Sequence, residues 1–312
     1  MGRNILIIGG SYFVGRVCVE MLAEDPDNRI TVVNRGNRPI GRRGIVEIVC
    51  DRHDYRLKEA LPKSTWQAVI DFCAYTPLDV IQLMVAVPHE ALKHYIFIST
   101  VSVYADTLDL PLKEDAPKLQ APQKKLGIAA DYGFNKWQAE LKVAEYCAKS
   151  QIPYTILRPA IIYGKYNYAP RESYFFDLIS QGKTIILPKN ELALYQFVSV
   201  WDVAKIISQC LGNERVFQQA FNLAAEELIS YLRLIEVLQE IMNRRVSLEK
   251  LESQEIYKQN IPLPFPLEQH LIYSGDLIRR LLGFDYAPFA LEMKRTWDWY
   301  QQTKGLNLAK DI

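Results

Sequence analysis

The stretch Asp131-Tyr-Gly-Phe-Asn-Lys136 holds a tyrosine and a lysine four residues apart. Trp137 to Lys149, which follows, spaces its apolar residues at helical intervals without Gly or Pro and predicts a helix. Tyr132 and Lys136 then share one helix face, a turn apart. A phenol with a pKa of ~10 moves protons poorly at neutral pH. An ammonium one turn away favours the phenolate and is expected to lower the Tyr132 pKa, making it a general acid/base. The same spacing arises readily by chance on an ordinary amphipathic helix. Its meaning depends on the rest of the chain.

The elements that would position this pair start at the N-terminus. Asn4-Ile-Leu-Ile-Ile8 is an apolar run of the kind expected in a parallel strand buried on both faces. It enters Gly9-Gly10-Ser11-Tyr12-Phe13-Val14-Gly15, and a helix from Arg16 follows. Strand, glycine turn and helix in that order form a dinucleotide-binding context. Gly9 permits the tight turn, and Gly15 lets the helix approach the strand with pyrophosphate at its N-terminus. Tyr12 occupies the position where the pattern has its middle glycine, so its side chain must point away or the pyrophosphate must shift.

Further strands are predicted at Arg29–Val33, Ile45–Cys50, Trp66–Ala74 and His94–Ile98, with a helix over Leu78–Val87. Alternation of this kind implies right-handed crossovers and a parallel doubly wound sheet of Rossmann type, an α/β fold. Ligands of such sheets bind at the strand C-termini. The glycine turn, Asn34-Arg35, Asp51-Arg52, Ala74-Tyr75 and Ser99-Thr100 all fall at such ends. An NAD site usually places a carboxylate after the second strand, whereas a 2′-phosphate suits a neutral residue and an arginine. Asn34-Arg35, with Arg16 and Arg38 nearby, therefore leans toward NADP over NAD, unless these arginines are simply solvated loop charges. Asp51 could accept a hydrogen bond from an adenine amino group.

These segments add up to a resemblance. With Leu157-Arg-Pro-Ala-Ile-Ile-Tyr-Gly164, Phe197-Val-Ser-Val-Trp-Asp-Val-Ala204 and the late Gly283-Phe284, Trp297 and Tyr300, the chain resembles the extended short-chain dehydrogenase/reductase superfamily, in its NAD-dependent epimerase/dehydratase branch. The resemblance spans nearly the whole chain. It implies that Thr100 hydrogen-bonds the substrate oxygen, that Tyr132 exchanges its proton, and that Lys136 holds the nicotinamide ribose. Ser99 and Ser102 would be structural neighbours of that site, either of them able to donate a second hydrogen bond, and Pro159 to Ile162 would pass beside the nicotinamide. The glycine turn and Asn-Arg-Gly strand end look more like a divergent branch that includes chloroplast stem-loop-binding proteins. Dehydratases of the family tend to carry an Asp-Glu pair after the catalytic Thr; Val101-Ser102 here points to epimerase or reductase chemistry. The family often pairs through the Tyr132 helix, so a homodimer is implied.

The resemblance also divides the chain: residues 1–165 with 196–224 as the NAD(P)-binding domain, and 166–195 with 225–312 as a smaller α/β substrate lobe. There, Ile185–Phe197 reads as strand material, Val198–Leu211 as a helix, Gln219–Leu223 as a further sheet strand, Leu232–Met242 as an amphipathic helix and Val246–Glu249 as a strand. Ile261-Pro-Leu-Pro-Phe-Pro266 excludes a helix interior. Tyr166, Tyr168, Arg171 and Tyr174 are plausible contacts to a base or diphosphate, although aromatic runs more often pack a core. A nucleotide sugar or a similar polar metabolite is the implied substrate. The rival reading is a non-catalytic nucleotide-dependent sensor, in one version RNA-binding.

Composition sets bounds on these readings. With 49% apolar and 23% charged residues, the chain can bury a core. A net charge of +1 gives no bulk electrostatic support for nucleic-acid binding, although Arg35–Arg43 is locally basic. The five cysteines, dispersed in apolar contexts, read as buried thiols of a reducing cytoplasm, and no metal-ligand spacing is present. No segment has the length of a membrane span, and a cytoplasmic protein is expected.

Overall fold

Strand β1 (Arg3–Ile8) sends alternate side chains to opposite faces, and helices cover both. The computed structural model describes residues 2–89 and 91–303. In chain order β1 is followed by α1 (Phe13–Leu22), β2 (Asn28–Asn34), β3 (Ile45–Val49), the one-turn α2 (Leu57–Ala60), β4 (Ala68–Asp71), α3 (Pro77–Ala86) and β5 (His94–Ile98). Then come α4 (Tyr132–Lys149), β6 (Tyr154–Pro159), β7 (Ile161–Tyr163), α5 (Glu172–Ser180), β8 (Ile185–Pro188), β9 (Phe197–Ser199) and α6 (Val200–Cys210). The chain continues with β10 (Gln219–Leu223), α7 (Tyr231–Met242), β11 (Leu248–Leu251), α8 (Ser253–Lys258), α9 (Asp276–Leu282) and α10 (Phe289–Thr303).

Seven strands form a parallel sheet in the order β10-β6-β5-β4-β1-β2-β3. The direction of winding reverses between β1 and β4, which opens a crevice at the strand C-termini. Ile5 and Ile7 pack with Val14 and Val17 of α1 and with Val203, Ile206 and Ile207 of α6. Leu6 and Ile8 pack on the other face with Val80, Leu83 and Met84 of α3 and Ala139 and Val143 of α4. A separate core gathers Phe175, Phe176, Tyr195, Phe197, Leu238, Phe265 and Trp297 around α5, α7, α10 and the two-stranded β8/β11 sheet.

Several predicted elements shift for local reasons. The Trp66–Ala74 strand is shorter because Asp71 accepts hydrogen bonds from the Cys73 and Ala74 amides and turns the chain off the sheet. Ile185–Phe197 is not continuous strand: β8 ends at Pro188, and Tyr195 makes only isolated bridges to Ile229 and Leu271 before β9 begins. The helix expected from Val198 starts at Val200, because the Ser199 side chain caps it by accepting from the Asp202 amide. The last small strand falls at Leu248–Leu251, not Val246–Glu249. Cys18, Cys147 and Cys210 are buried, whereas Cys50 and Cys73 are partly exposed.

Candidate active site

The glycine turn closes tightly on α1. Gly9 has a φ of +86°. A Cβ on Gly15 would lie 2.5 Å from the Gly9 carbonyl oxygen, and one on Gly10 would meet Val19 and Val32 within 3 Å. Side chains are thus excluded where the turn meets α1 and the sheet, and a glycine turn closed on a helix N-terminus fits a pyrophosphate. Tyr12 lies in extended backbone with its ring under the Arg38 guanidinium, 4.9 Å away, so the side chain leaves the turn. Ser11 and Val14 are buried and Phe13 half-buried, with a φ of +37° at Phe13.

Asn34 ends β2, as the sequence suggests, and its side chain is engaged within the protein. Its amide donates to Glu47 at 2.6 Å and its carbonyl accepts from Gly36 N at 2.6 Å, so both ends are used inside the β2–β3 edge. Arg35 is exposed and makes no hydrogen bond or ion pair among the described residues. It lines an open hollow of about 580 Å³ with Val49, Cys50, Asp51, Asp54 and Arg56. Arg52 does not join that hollow. Its guanidinium turns inward to the buried Asp71 carboxylate at 2.8 and 3.1 Å and to the Asp79 carbonyl at 2.8 Å.

At the other side of the crevice, Gly133 lets α4 approach the turn after β5. Thr100 leads that turn, accepting from Ser102 N at 3.1 Å. Its hydroxyl donates to Ser102 Oγ at 3.2 Å and stands beside the Tyr132 phenol. The expected lowering of the Tyr132 pKa is not found. Although the residue as a whole is 41% exposed, desolvation of its hydroxyl raises it, outweighing the nearby Thr100 hydroxyl and the Arg171 charge, which lower it. Lys136 is buried and donates to the carbonyls of Ala74 (2.8 Å) and Ile98 (2.6 Å). Its ammonium sits 4.4 Å from the Phe97 ring centroid and 5.4 Å from that of Tyr75, and it is not among the groups that shift the Tyr132 phenol. Burial lowers the Lys136 pKa to about 8. Two of its N–H groups are used by carbonyls, which leaves the third for a ligand.

Ser99 is not a second donor to the crevice: its hydroxyl donates to the buried Glu140 carboxylate. Pro159 is buried at the end of β6, and Ile162 in β7 accepts from Arg171 Nη1 at 3.2 Å. Of the four aromatic-region residues, the structure separates two pairs. Arg171 and Tyr168 act on the Tyr132 phenol, and Tyr168 stands edge-on to Phe13 at 6.2 Å. Tyr166 bonds Glu20, and Tyr174 packs against Phe175. Tyr75, 6.3 Å from the Tyr132 ring, completes the wall. Gly133 and Glu140 are the positions that sequence reasoning missed; Glu140 lies one turn beyond Lys136, the only signal that marked it.

The model of the NAD dependent epimerase/dehydratase family matches residues 5–224. A chloroplast stem-loop binding protein of 41 kDa from Arabidopsis thaliana is 26% identical over 73% of this chain, which spans 60% of that relative's length. The dTDP-D-glucose 4,6-dehydratase of Bos taurus is 22% identical over 96% of this chain and 89% of its own. Among solved structures, a UDP-glucuronic acid 4-epimerase from Bacillus cereus, in complex with UDP-glucuronic acid and NAD, superposes with a TM-score of 0.77 at 18% identity, covering 96% of this chain and 99% of that one. Among the described residues, no helix is long and apolar enough to cross a membrane.

Proposed function

Because the chain belongs to the NAD dependent epimerase/dehydratase family, we propose that it is an NAD(P)-dependent epimerase or reductase acting on a hydroxyl or carbonyl of a nucleotide sugar. The observation that carries this reading is the meeting of Tyr132 and Thr100 at the crevice, with Lys136 one turn further along α4. When bound, the nicotinamide supplies hydride acceptance or donation at the substrate carbon. Thr100 orients the substrate oxygen, and Tyr132 takes or gives that oxygen's proton. Lys136 holds the ribose hydroxyls with its remaining N–H and adds positive charge beneath the site. The backbone of Gly9 to Gly15 holds the pyrophosphate, and Asp51 the adenine. Arg35 would pair with a 2′-phosphate, which favours NADP. Residues 166–195 and 225–303 form the lobe that takes the sugar, with Arg171 and Tyr168 on its Tyr132 side; the remainder of the expected 225–312 segment lies outside the described residues. Val101 and Ser102 follow Thr100, so no carboxylate pair stands there to eliminate water. The exposed side chains of Leu78, Val85 and Leu141 on α3 and α4 support pairing of two copies.

The test combines titration of the protein with NADH and NADPH and turnover of UDP- and dTDP-sugars by wild type and Tyr132→Phe. The variant should bind nucleotide as wild type does and turn over at least ~100-fold more slowly. Retained turnover would remove Tyr132 from the chemistry. Binding of neither nucleotide would bring forward a second reading, suggested by the Arabidopsis relative: an RNA-binding role for the basic Arg35–Arg43 segment, read out as salt-sensitive stem-loop retention in a gel shift.

A further inference from the structure

Helix α4 carries Tyr132, Lys136 and Glu140 at four-residue intervals along one face. Glu140 is 2% exposed, and every bond its carboxylate accepts comes from another element. Ser99 Oγ donates to Oε1. Arg158 Nε reaches both oxygens at 3.0 and 3.1 Å, and Arg158 Nη2 reaches Oε2 at 2.6 Å. Ser99 immediately precedes Thr100 at the end of β5, and Arg158 immediately precedes Pro159 in β6. Arg158 Nη1 continues to Tyr104 OH at 2.9 Å, and that hydroxyl donates to Asn222 of β10 at 2.6 Å. A single carboxylate therefore ties the helix bearing Tyr132 to the strand end bearing Thr100.

We propose that Glu140 is a positioning residue, which sets the Thr100–Tyr132 geometry through its hydrogen bond to Ser99 and is itself held by Arg158. A buried ion pair contributes little net stability beyond apolar side chains of the same volume, so stability alone gives no reason for the pair. Its directional bonds fix orientation. The Ser99 hydroxyl is 4% exposed at the residue level and committed to Glu140, so it reaches Thr100 only through the backbone. The proposal rests on the reading of Thr100 and Tyr132 as an acid/base pair only for its effect on turnover. The geometric part stands apart from it.

Removing Glu140 alone would strand the Arg158 charge and risk the fold. The test therefore uses Ser99→Ala, and separately Glu140→Leu with Arg158→Met, in protein labelled at the tyrosine Cζ carbon. The Tyr132 resonance is assigned by its loss in Tyr132→Phe, and Thr100→Val gives its position without the Thr100 hydroxyl beside it. Both variants should move the resonance toward the Thr100→Val position, with thermal midpoint and NAD affinity close to wild type, and Ser99→Thr should restore it. Turnover of the sugar nucleotide should fall about tenfold through kcat at unchanged KM, a loss of ~1.4 kcal/mol in the barrier. An unmoved resonance in both folded variants overturns the proposal. A moved resonance supports it even where Tyr132→Phe keeps full turnover, a result that would sink only the acid/base reading.

Discussion

Gly133 lies so close to Ser102 that a Cβ on it would stand 2.1 Å from the Ser102 carbonyl oxygen. No real Cβ tolerates that distance, so only glycine allows the first turn of α4 to rest on the turn that follows Thr100. The contact sits one residue from Tyr132 and two from Thr100, the two side chains whose meeting defines the site. A glycine at the start of a helix thus acts here as a spacer of fixed width.

Gly133→Ala should therefore cost stability where helix propensity alone would predict a gain of about 1 kcal/mol. The methyl must push α4 away from the Ser102 turn, an overpacking that costs typically 1–3 kcal/mol. Denaturant unfolding reads the net sign. Turnover should fall by more than the folded fraction does, because the displacement separates Tyr132 from Thr100. Equal or greater stability with full turnover would show that the turn yields easily.

The sheet was legible in the sequence because strands buried on both faces read as unbroken apolar runs, as in Asn4–Ile8 and His94–Ile98. The candidate site was legible only where one segment carries its own chemistry: the glycine turn, Thr100, Tyr132 and Lys136. What escaped depends on partners far along the chain. The carbonyls that hold Lys136 are 62 and 38 residues away, and the Ser99–Glu140 bond spans 41. Asn34 carries the polarity of a ribose contact, yet Glu47 on the neighbouring strand claims its amide. Around the second core, β8 pairs with β11 about as distantly, and neither short strand declares its partner.

Lys136 should make nucleotide affinity depend on pH in the mildly alkaline range. Burial lowers its pKa to about 8 while nearby Asp71 and Glu140 oppose the shift. Below that value the ammonium is present for the ribose. Above it, affinity for NADH should fall by up to about tenfold per pH unit, as expected for loss of one proton. Calorimetric titration on both sides of pH 8 checks this, with Lys136→Arg as a variant that keeps its charge and a flat profile. The sign for stability is the reverse. Between the folded value and the free lysine's 10.5 the unfolded chain binds more protons, so this residue's contribution to stability rises with pH across that window.

His94 should make the fold sensitive to acid. Its imidazole is buried in β5, with Nε2 2.8 Å from Thr155 Oγ1 and Nδ1 accepting from Gly212 N at 3.3 Å. The Thr155 hydroxyl donates to the Val216 carbonyl at 2.8 Å, so Nε2 must be the protonated nitrogen and Nδ1 the acceptor. A second proton would set Nδ1–H against the Gly212 N–H. Burial lowers the pKa from 6.5 to about 4, with the Cys210 backbone opposing the shift. Stability from this group is complete above the unfolded value of 6.5 and is lost as pH falls from there through about 4, by about 3 kcal/mol in all. Urea unfolding of wild type and His94→Gln at neutral and acidic pH isolates the term: the gap between them should narrow on acidification, and a constant gap would assign the acid sensitivity elsewhere.

Asn34→Asp discriminates between the inward side chain described above and a ribose-facing one. In many dinucleotide sites a carboxylate after the second strand holds the ribose hydroxyls, so an outward carboxylate at this position would be expected to raise NADH affinity with little effect on stability. Here the Asn34 amide donates to Glu47 at 2.6 Å, and the substitution would place two carboxylates at hydrogen-bonding distance. Such a pair cannot remain doubly ionised without cost, and one member must take up a proton in the folded state. Its folded pKa then exceeds the unfolded one, so stability falls as pH rises through the carboxylate range and recovers in acid. The expected loss at neutral pH is about 1–3 kcal/mol, the scale of a lost buried hydrogen bond with its partner left unsatisfied. NADH affinity should not improve, and NADPH affinity, which depends on Arg35, should stay near that of wild type. Unchanged stability with tighter NADH binding would turn the Asn34 side chain outward and return the choice of cofactor to this position.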